Sequence, residues 1–292
     1  MKKKDVSRRQ FALLAGTMAA GAGRIPLQGA DALTAQEVAH RMQTSLGGEW
    51  PASGPDGFKA GDPNTPVTGI ATTAMATMGV LKQAAMAGTN LVITYEPTFF
   101  GRQENPGVAD DPVYKAKKQF IEKNGLVVFR LRDRWQARKE NDMTTGLAEQ
   151  LGWSKYRVRP GDSIYEIPAT TAEDAVALIR KKLSLRGGLR AVGDRKARVR
   201  RVMLHPGTMT PAVMWQRYSE TDLTITGEVR EWENTHYAAD IFTAGEGRGL
   251  VTIGRVASED PGMRMCAEWL KTLVAEVPSR WIPAGDLYWR AV

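Results

Sequence analysis

Gly88-Thr89-Asn90-Leu91-Val92-Ile93-Thr94-Tyr95-Glu96-Pro97-Thr98-Phe99-Phe100 is the stretch on which the architecture turns. Leu91 to Tyr95 is a short apolar run of the kind a strand shows when both its faces are buried, and it gives way at once to ionisable and turn-forming residues. Just upstream, Met75 to Ala87 carries apolar residues at helical spacing and Gly88 closes it, while Val67 to Thr73 is a second buried strand. Strand, helix and strand make a βαβ unit, which implies a parallel sheet covered on both faces.

Working toward the C terminus, the logic repeats. Pro112 to Asn124 reads as a helix capped by Gly125, and Leu126 to Leu131 as the next strand. Thr144 to Leu151 is a short helix stopped by Gly152; Thr170 to Leu183 is another, with Thr171 as its N-cap. Strands are expected at Arg201 to Leu204, Leu223 to Thr226 and Leu250 to Ile253, and helices at Trp232 to Ala244 and Gly262 to Val274. Toward the N terminus, Leu33 to Gly47 reads as a helix, and Trp50 to Pro66 as a loop dense in Gly, Pro and Asp. The fold class is therefore α/β, in layers.

Further upstream stand Lys2-Lys3-Lys4, then Ser7-Arg8-Arg9-Gln10-Phe11-Ala12, then a run rich in Gly and Ala to Gly23. This is the layout of a twin-arginine export signal, with Ala30-Asp31-Ala32 as a cleavage site. The expected organisation is a signal peptide over 1–32 and one α/β domain over 33–292, delivered to the periplasm or otherwise exported. The formal charge of +8 shrinks accordingly: residues 1–32 hold six basic and two acidic side chains, leaving 34 basic against 30 acidic in the rest. That balance points to neither nucleic acid nor an anionic membrane, and the basic stretch Arg190 to Arg201 lacks the aromatic residues that would stack bases. No later stretch resembles a membrane span, and the single Cys266 can form no disulfide within the chain.

Open α/β sheets place their sites at strand ends. Four such ends carry ionisable groups: Tyr95-Glu96, Arg132-Asp133-Arg134 with Gln136, Glu228, and Arg255 with Glu259. Here a resemblance enters. Residues 88–100 resemble the strand of the Nif-three-like dinuclear-metal family that ends in His-His-Pro-x-Phe-Phe. Thr226-Gly227-Glu228 is similar to that family's Thr-Gly-Glu, and Gly254-Arg255 through Ser258-Glu259 to its Gly-His-x-x-Thr/Ser-Glu. The resemblance covers most of Val67 to Val274. It implies two interleaved α/β lobes, a toroidal hexamer, a pair of divalent metals held by histidines and carboxylates, and kinship with the GTP cyclohydrolase I type II homologues.

Against that pattern the chain departs at most ligand positions. The first histidine pair is Tyr95 and Glu96, the middle His and Asp are Arg132 and Gln136, and the late His is Arg255; Glu259 alone carries over, with Asp133 a nearby carboxylate. His40, His205 and His236 fall on no ligand position, and a protonated guanidinium cannot ligate. One expectation is that Arg132, Arg134 and Arg255 pair with Glu96, Asp133 and Glu259 in place of metal bonds, giving a non-catalytic or altered-activity binding protein with an Arg-rich cavity for a small anionic ligand. The alternative keeps Glu96, Asp133, Glu228 and Glu259 as oxygen ligands of Mg2+ or Mn2+ in a hydrolase of nucleotides or phosphoesters, with Glu259 or Glu96 as base. His236 is expected to pack on its helix, His205 to shape a turn before Pro206-Gly207, and Trp135, Trp232 and Trp269 to anchor core or interface.

Overall fold

Ile70–Thr73 (β2), Leu91–Thr94 (β3) and Val127–Arg130 (β4) are buried at every position, which a strand tolerates only between two covered faces. A computed structural model describes residues 32–48, 50–101, 104 and 110–289, so the expected export signal lies outside the described residues except for Ala32. Parallel pairing of β4, β3 and β2 continues into Ser279–Trp281 (β10), and Gly57–Ala60 (β1) closes the other edge antiparallel, giving a five-stranded sheet β1-β4-β3-β2-β10. Alternate residues serve the two faces. Ile70, Leu91, Ile93, Val127 and Phe129 meet Ala35–Leu46 (α1) and the C-terminal half of Arg255–Leu273 (α9); Ala71, Val92 and Val128 meet Met78–Met86 (α2) and Ile121 of Pro112–Lys123 (α3).

A second five-stranded sheet has the order β5-β7-β8-β9-β6, built from Ile164–Thr171 (β5), Arg190–Val192 (β6), Arg198–Met209 (β7), Leu223–Val229 (β8) and Gly249–Thr252 (β9). Its central β7, β8 and β9 are parallel, with an antiparallel strand at each edge. Asp142–Leu151 (α5) and Ala172–Lys182 (α6) cover one face through Leu147, Leu151 and Ile179; Pro211–Arg217 (α7) and His236–Thr243 (α8) cover the other through Met214 and Ile241. The short helix Asp133–Gln136 (α4) follows β4. Helix α9 touches β2 and β10 of the first sheet and β7 and β8 of the second, so one element ties both lobes. Cys266 lies on its fully buried face, and burial pushes its thiol above the usual range, which leaves it an inert core side chain.

Several expectations need correction. The closing helix starts at Arg255 rather than Gly262: Pro261 lies inside it, and Pro261-Gly262 imitates a helix start although the preceding turn is already helical. Arg255 and Glu259 therefore lie one turn apart on one helix face instead of in a loop. Strand β7 runs on through His205-Pro206-Gly207, with a shift of register between His205 and Thr208, so His205 belongs to an irregular strand rather than a turn. Strand β5 escapes sequence reading because Pro168 interrupts its pattern where the pairing bulges. The expected helix from Trp232 opens as a π-helical turn, Glu231–Thr235, and Trp232 is 69% exposed, whereas Trp135 is fully buried.

Candidate functional site

Strand β3 ends at Thr94, so Glu96 emerges two residues later over the edge of the first sheet, while β8 carries Glu228 out of the second. Between them stands the first turn of α9. Arg255 donates to Glu96 Oε1 from Nη2 at 2.7 Å and from Nε at 3.2 Å; its Nη1 reaches Glu228 Oε1 at 3.1 Å and Thr208 Oγ1 at 2.9 Å. Its Nε is also 3.4 Å from Glu259 Oε1. One guanidinium thus gathers three carboxylates from both lobes. Arg132 adds a contact to Glu96 at 3.8 Å and one to Asp133 at 3.1 Å.

The close approach of α9 depends on two glycines. A Cβ at Gly207, whose φ is +80°, would stand 2.8 Å from Glu259 Oε1, and one at Gly227 would stand 2.9 Å from Cα of Arg255. Ser258 completes the join: its Oγ accepts from the Gly207 N–H at 2.8 Å and donates to the Arg255 carbonyl at 2.6 Å. The Thr-Gly-Glu of β8 is thereby a packing device as well as a source of Glu228.

Electrostatics follow from burial. Glu259 is 2% exposed, and loss of solvent together with the neighbouring Glu96 charge holds its carboxyl well above the usual carboxylate range. Its Oε2 is buried without a hydrogen-bond partner among the described residues. Burial works against the Arg255 charge, but Glu259 and Glu96 outweigh it and keep the guanidinium protonated. Tyr95 is held neutral chiefly by burial, and its hydroxyl donates to Gln136 Oε1 at 3.1 Å.

Of the residues read from sequence, Glu96, Glu228, Glu259, Arg132 and Arg255 converge. Tyr95 and Gln136 pair beside them. Asp133 meets Arg132 alone in this cluster, its side chain 56% exposed. The Arg134 guanidinium lies beside Gly48, its Nη1 3.1 Å from where a Cβ there would stand. Sequence reading missed Thr208 and Asp56. The Asp56 carboxylate accepts from the backbone N–H groups of Arg132, Asp133 at 3.1 Å and Arg134 at 3.0 Å, and so fixes the start of α4. Gly54-Pro55-Asp56-Gly57 announces a turn, but nothing local reports a partner far along the chain.

The donor set does not fit a pair of metal ions. Glu96 and Glu259, which the resemblance sets at ligand positions, are both in contact with Arg255. Among the described residues, no three of His, Cys, Asp and Glu are grouped to hold an ion. A divalent ion about 4 Å from a guanidinium would be opposed by roughly 8 kcal/mol at an effective dielectric near 20. Two clefts adjoin the cluster. One of about 910 Å3 is bordered by Glu228, Gly254, Arg255 and the C-terminal Asp286 and Tyr288; another of about 380 Å3 lies beside Tyr95, Gln136 and His205.

Two α/β lobes sharing one long helix, with ionisable residues gathered where strands of both sheets end, define a two-lobed α/β protein with its candidate site between the sheets. Residues 33–282 match the family model for Duf34/NIF3 (NGG1p interacting factor 3), and the chain belongs to that family. Solved structures agree in fold. Staphylococcus aureus protein SA1388 is 15% identical with a TM-score of 0.66, covering 90% of this chain and 100% of that one. A Bacillus cereus protein related to NIF3 is 13% identical with a TM-score of 0.67, covering 87% and 98%. TTHA1606 from Thermus thermophilus is 15% identical with a TM-score of 0.56, covering 87% and 99%. No curated protein sequence matches the chain.

Proposed function

We propose that this chain is an exported Duf34/NIF3 protein whose former dinuclear-metal position is held by an arginine–carboxylate cluster, and that it binds a ligand rather than hydrolysing one. The observation that carries the reading is Arg255, whose single guanidinium contacts Glu96, Glu228 and Glu259 from both lobes. Charge-assisted hydrogen bonds of this kind do the joining that metal–ligand bonds would do. Glu259 is also poorly placed to act as base, because one of its oxygens is buried without a partner among the described residues and the other lies against the Arg255 guanidinium. Export by the twin-arginine route rests on Arg8-Arg9 and the run that follows, and the family match begins directly after it, at residue 33. Assembly into a homo-oligomeric ring completes the reading; Trp215, Trp232 and the C-terminal Leu287-Tyr288-Trp289 offer exposed apolar surface for it.

The hydrolase alternative is tested by assaying nucleotides and phosphomonoesters with added Mg2+ or Mn2+. The expected outcome is no turnover above that of an Arg255→Ala, Glu259→Ala double variant. Saturable, metal-dependent turnover abolished in that variant would overturn the reading.

A further inference from the structure

The smaller cleft lies on the Tyr95 flank of the cluster, where the N-terminus of α5 opens into it. Asn141 precedes that helix in a left-handed conformation, φ 51° and ψ 56°, and its side chain turns to the Gly161 carbonyl instead of capping the first turn. The leading N–H groups of this 10-residue helix therefore have no side-chain acceptor, and Asn141, Met143 and Thr144 of its start line the cavity.

Thr144 supplies an independent observation. It is only 3% exposed, lines the cavity, and its hydroxyl makes no hydrogen bond to any described residue. Gln136 engages its carbonyl oxygen with Tyr95, which leaves its amide N–H groups for the cavity. Lys139 stands at the mouth without an ion pair to any described residue, whereas Arg138 is held by Glu140 at 3.5 Å and Asp142 at 3.2 Å. Donors converge, and the carboxylate at this helix start, Asp142, does not line the cavity; Arg138 Nη1 stands 3.2 Å from its Oδ2, which accepts no hydrogen bond from a described residue. Such a set is complementary to an acceptor-only group.

We infer that this cavity is an oxyanion site that takes the phosphate group of a small phosphorylated molecule, seated on the first turn of α5 between Thr144, Gln136 and Lys139. At about 380 Å3 it has room for the phosphate and a small body attached to it. This deepens the proposed binding function and rests on it, because a metal pair beside Tyr95 and Gln136 would itself attract phosphate. The arginines of the salt-bridge cluster are engaged by carboxylates, so the anion-binding donors lie one step away from where the sequence places them.

The test is equilibrium dialysis of the full chain, stripped with chelator and checked for metal, against radiolabelled inorganic phosphate at constant ionic strength in chloride. One phosphate per chain is expected to bind saturably in the millimolar range or tighter. Lys139→Gln and Thr144→Val should each weaken it by about tenfold while leaving thermal unfolding without phosphate unchanged. Metal-free protein that binds no phosphate overturns the oxyanion site and leaves the metal-free reading standing. Binding that both variants leave intact also overturns the site. Binding that disappears on chelation and returns with metal overturns both.

Discussion

Arg255 holds the site together, and its removal is expected to do more than delete contacts. Arg255→Met would leave Glu96 and Glu259 buried beside each other with only Arg132, 3.8 Å from Glu96, as countercharge, at a loss of about 3 kcal/mol in urea unfolding. Adding Glu259→Gln to that variant should recover part of the loss, because it removes one of the stranded charges. Glu259 itself gives a pH signature. Its folded pKa is raised, so its contribution is fully present below the ordinary value of 4.5 and is lost as pH rises through the folded value. Glu259→Gln should therefore match the wild type in acid and gain on it as pH rises above about 4.5, by about 1.4 kcal/mol for each unit of elevation. A thermal-unfolding series over pH reads this directly; a gain that shrinks as pH rises would contradict it.

Among elements, α4 depends on a cap from a distant loop. Asp56→Ala removes the acceptor for three consecutive backbone N–H groups and should destabilise the fold by about 1–2 kcal/mol, while freeing Arg132 to move. Lys117 of α3 is buried under the loop after β3, donating to the Thr98 carbonyl with its Nζ 4.9 Å from the Phe100 ring, and burial lowers its pKa from 10.5 to about 8. The stability it contributes above the unfolded lysine value is lost as pH falls through about 8, so Lys117→Met should gain on the wild type below that pH. A gain larger at alkaline pH than at neutral pH would contradict this. The elements that sequence reveals best are those with clean periodicity: β2, α2, β3, α3 and β4 follow from apolar runs and glycine stops alone. What stayed hidden has a physical cause in each case. Proline masked β5 and the start of α9, β10 is three residues long, and β1, Gly57-Phe58-Lys59-Ala60, has no buried position to give it an apolar run. Glu96, Arg255 and Glu259 were legible as strand-end residues, but the cap from Asp56 and the donor set around Thr144 arise from long-range packing that no local pattern encodes.

On the scale of the whole molecule, α9 bridges two sheets, and the charged cluster at its first turn joins them on the rim. A metal pair would serve the same mechanical purpose and add chemistry; in the proposed reading an arginine serves the first alone. In the proposed reading Arg255 and Arg132 stand where the family's histidines would hold ions. Elemental analysis by mass spectrometry, on protein folded in a metal-replete cytoplasm and purified without chelator, tests it most directly. Well below one transition-metal ion per chain is expected in a folded, cooperatively unfolding protein. About two ions per chain, lost together with stability on chelation, would contradict it.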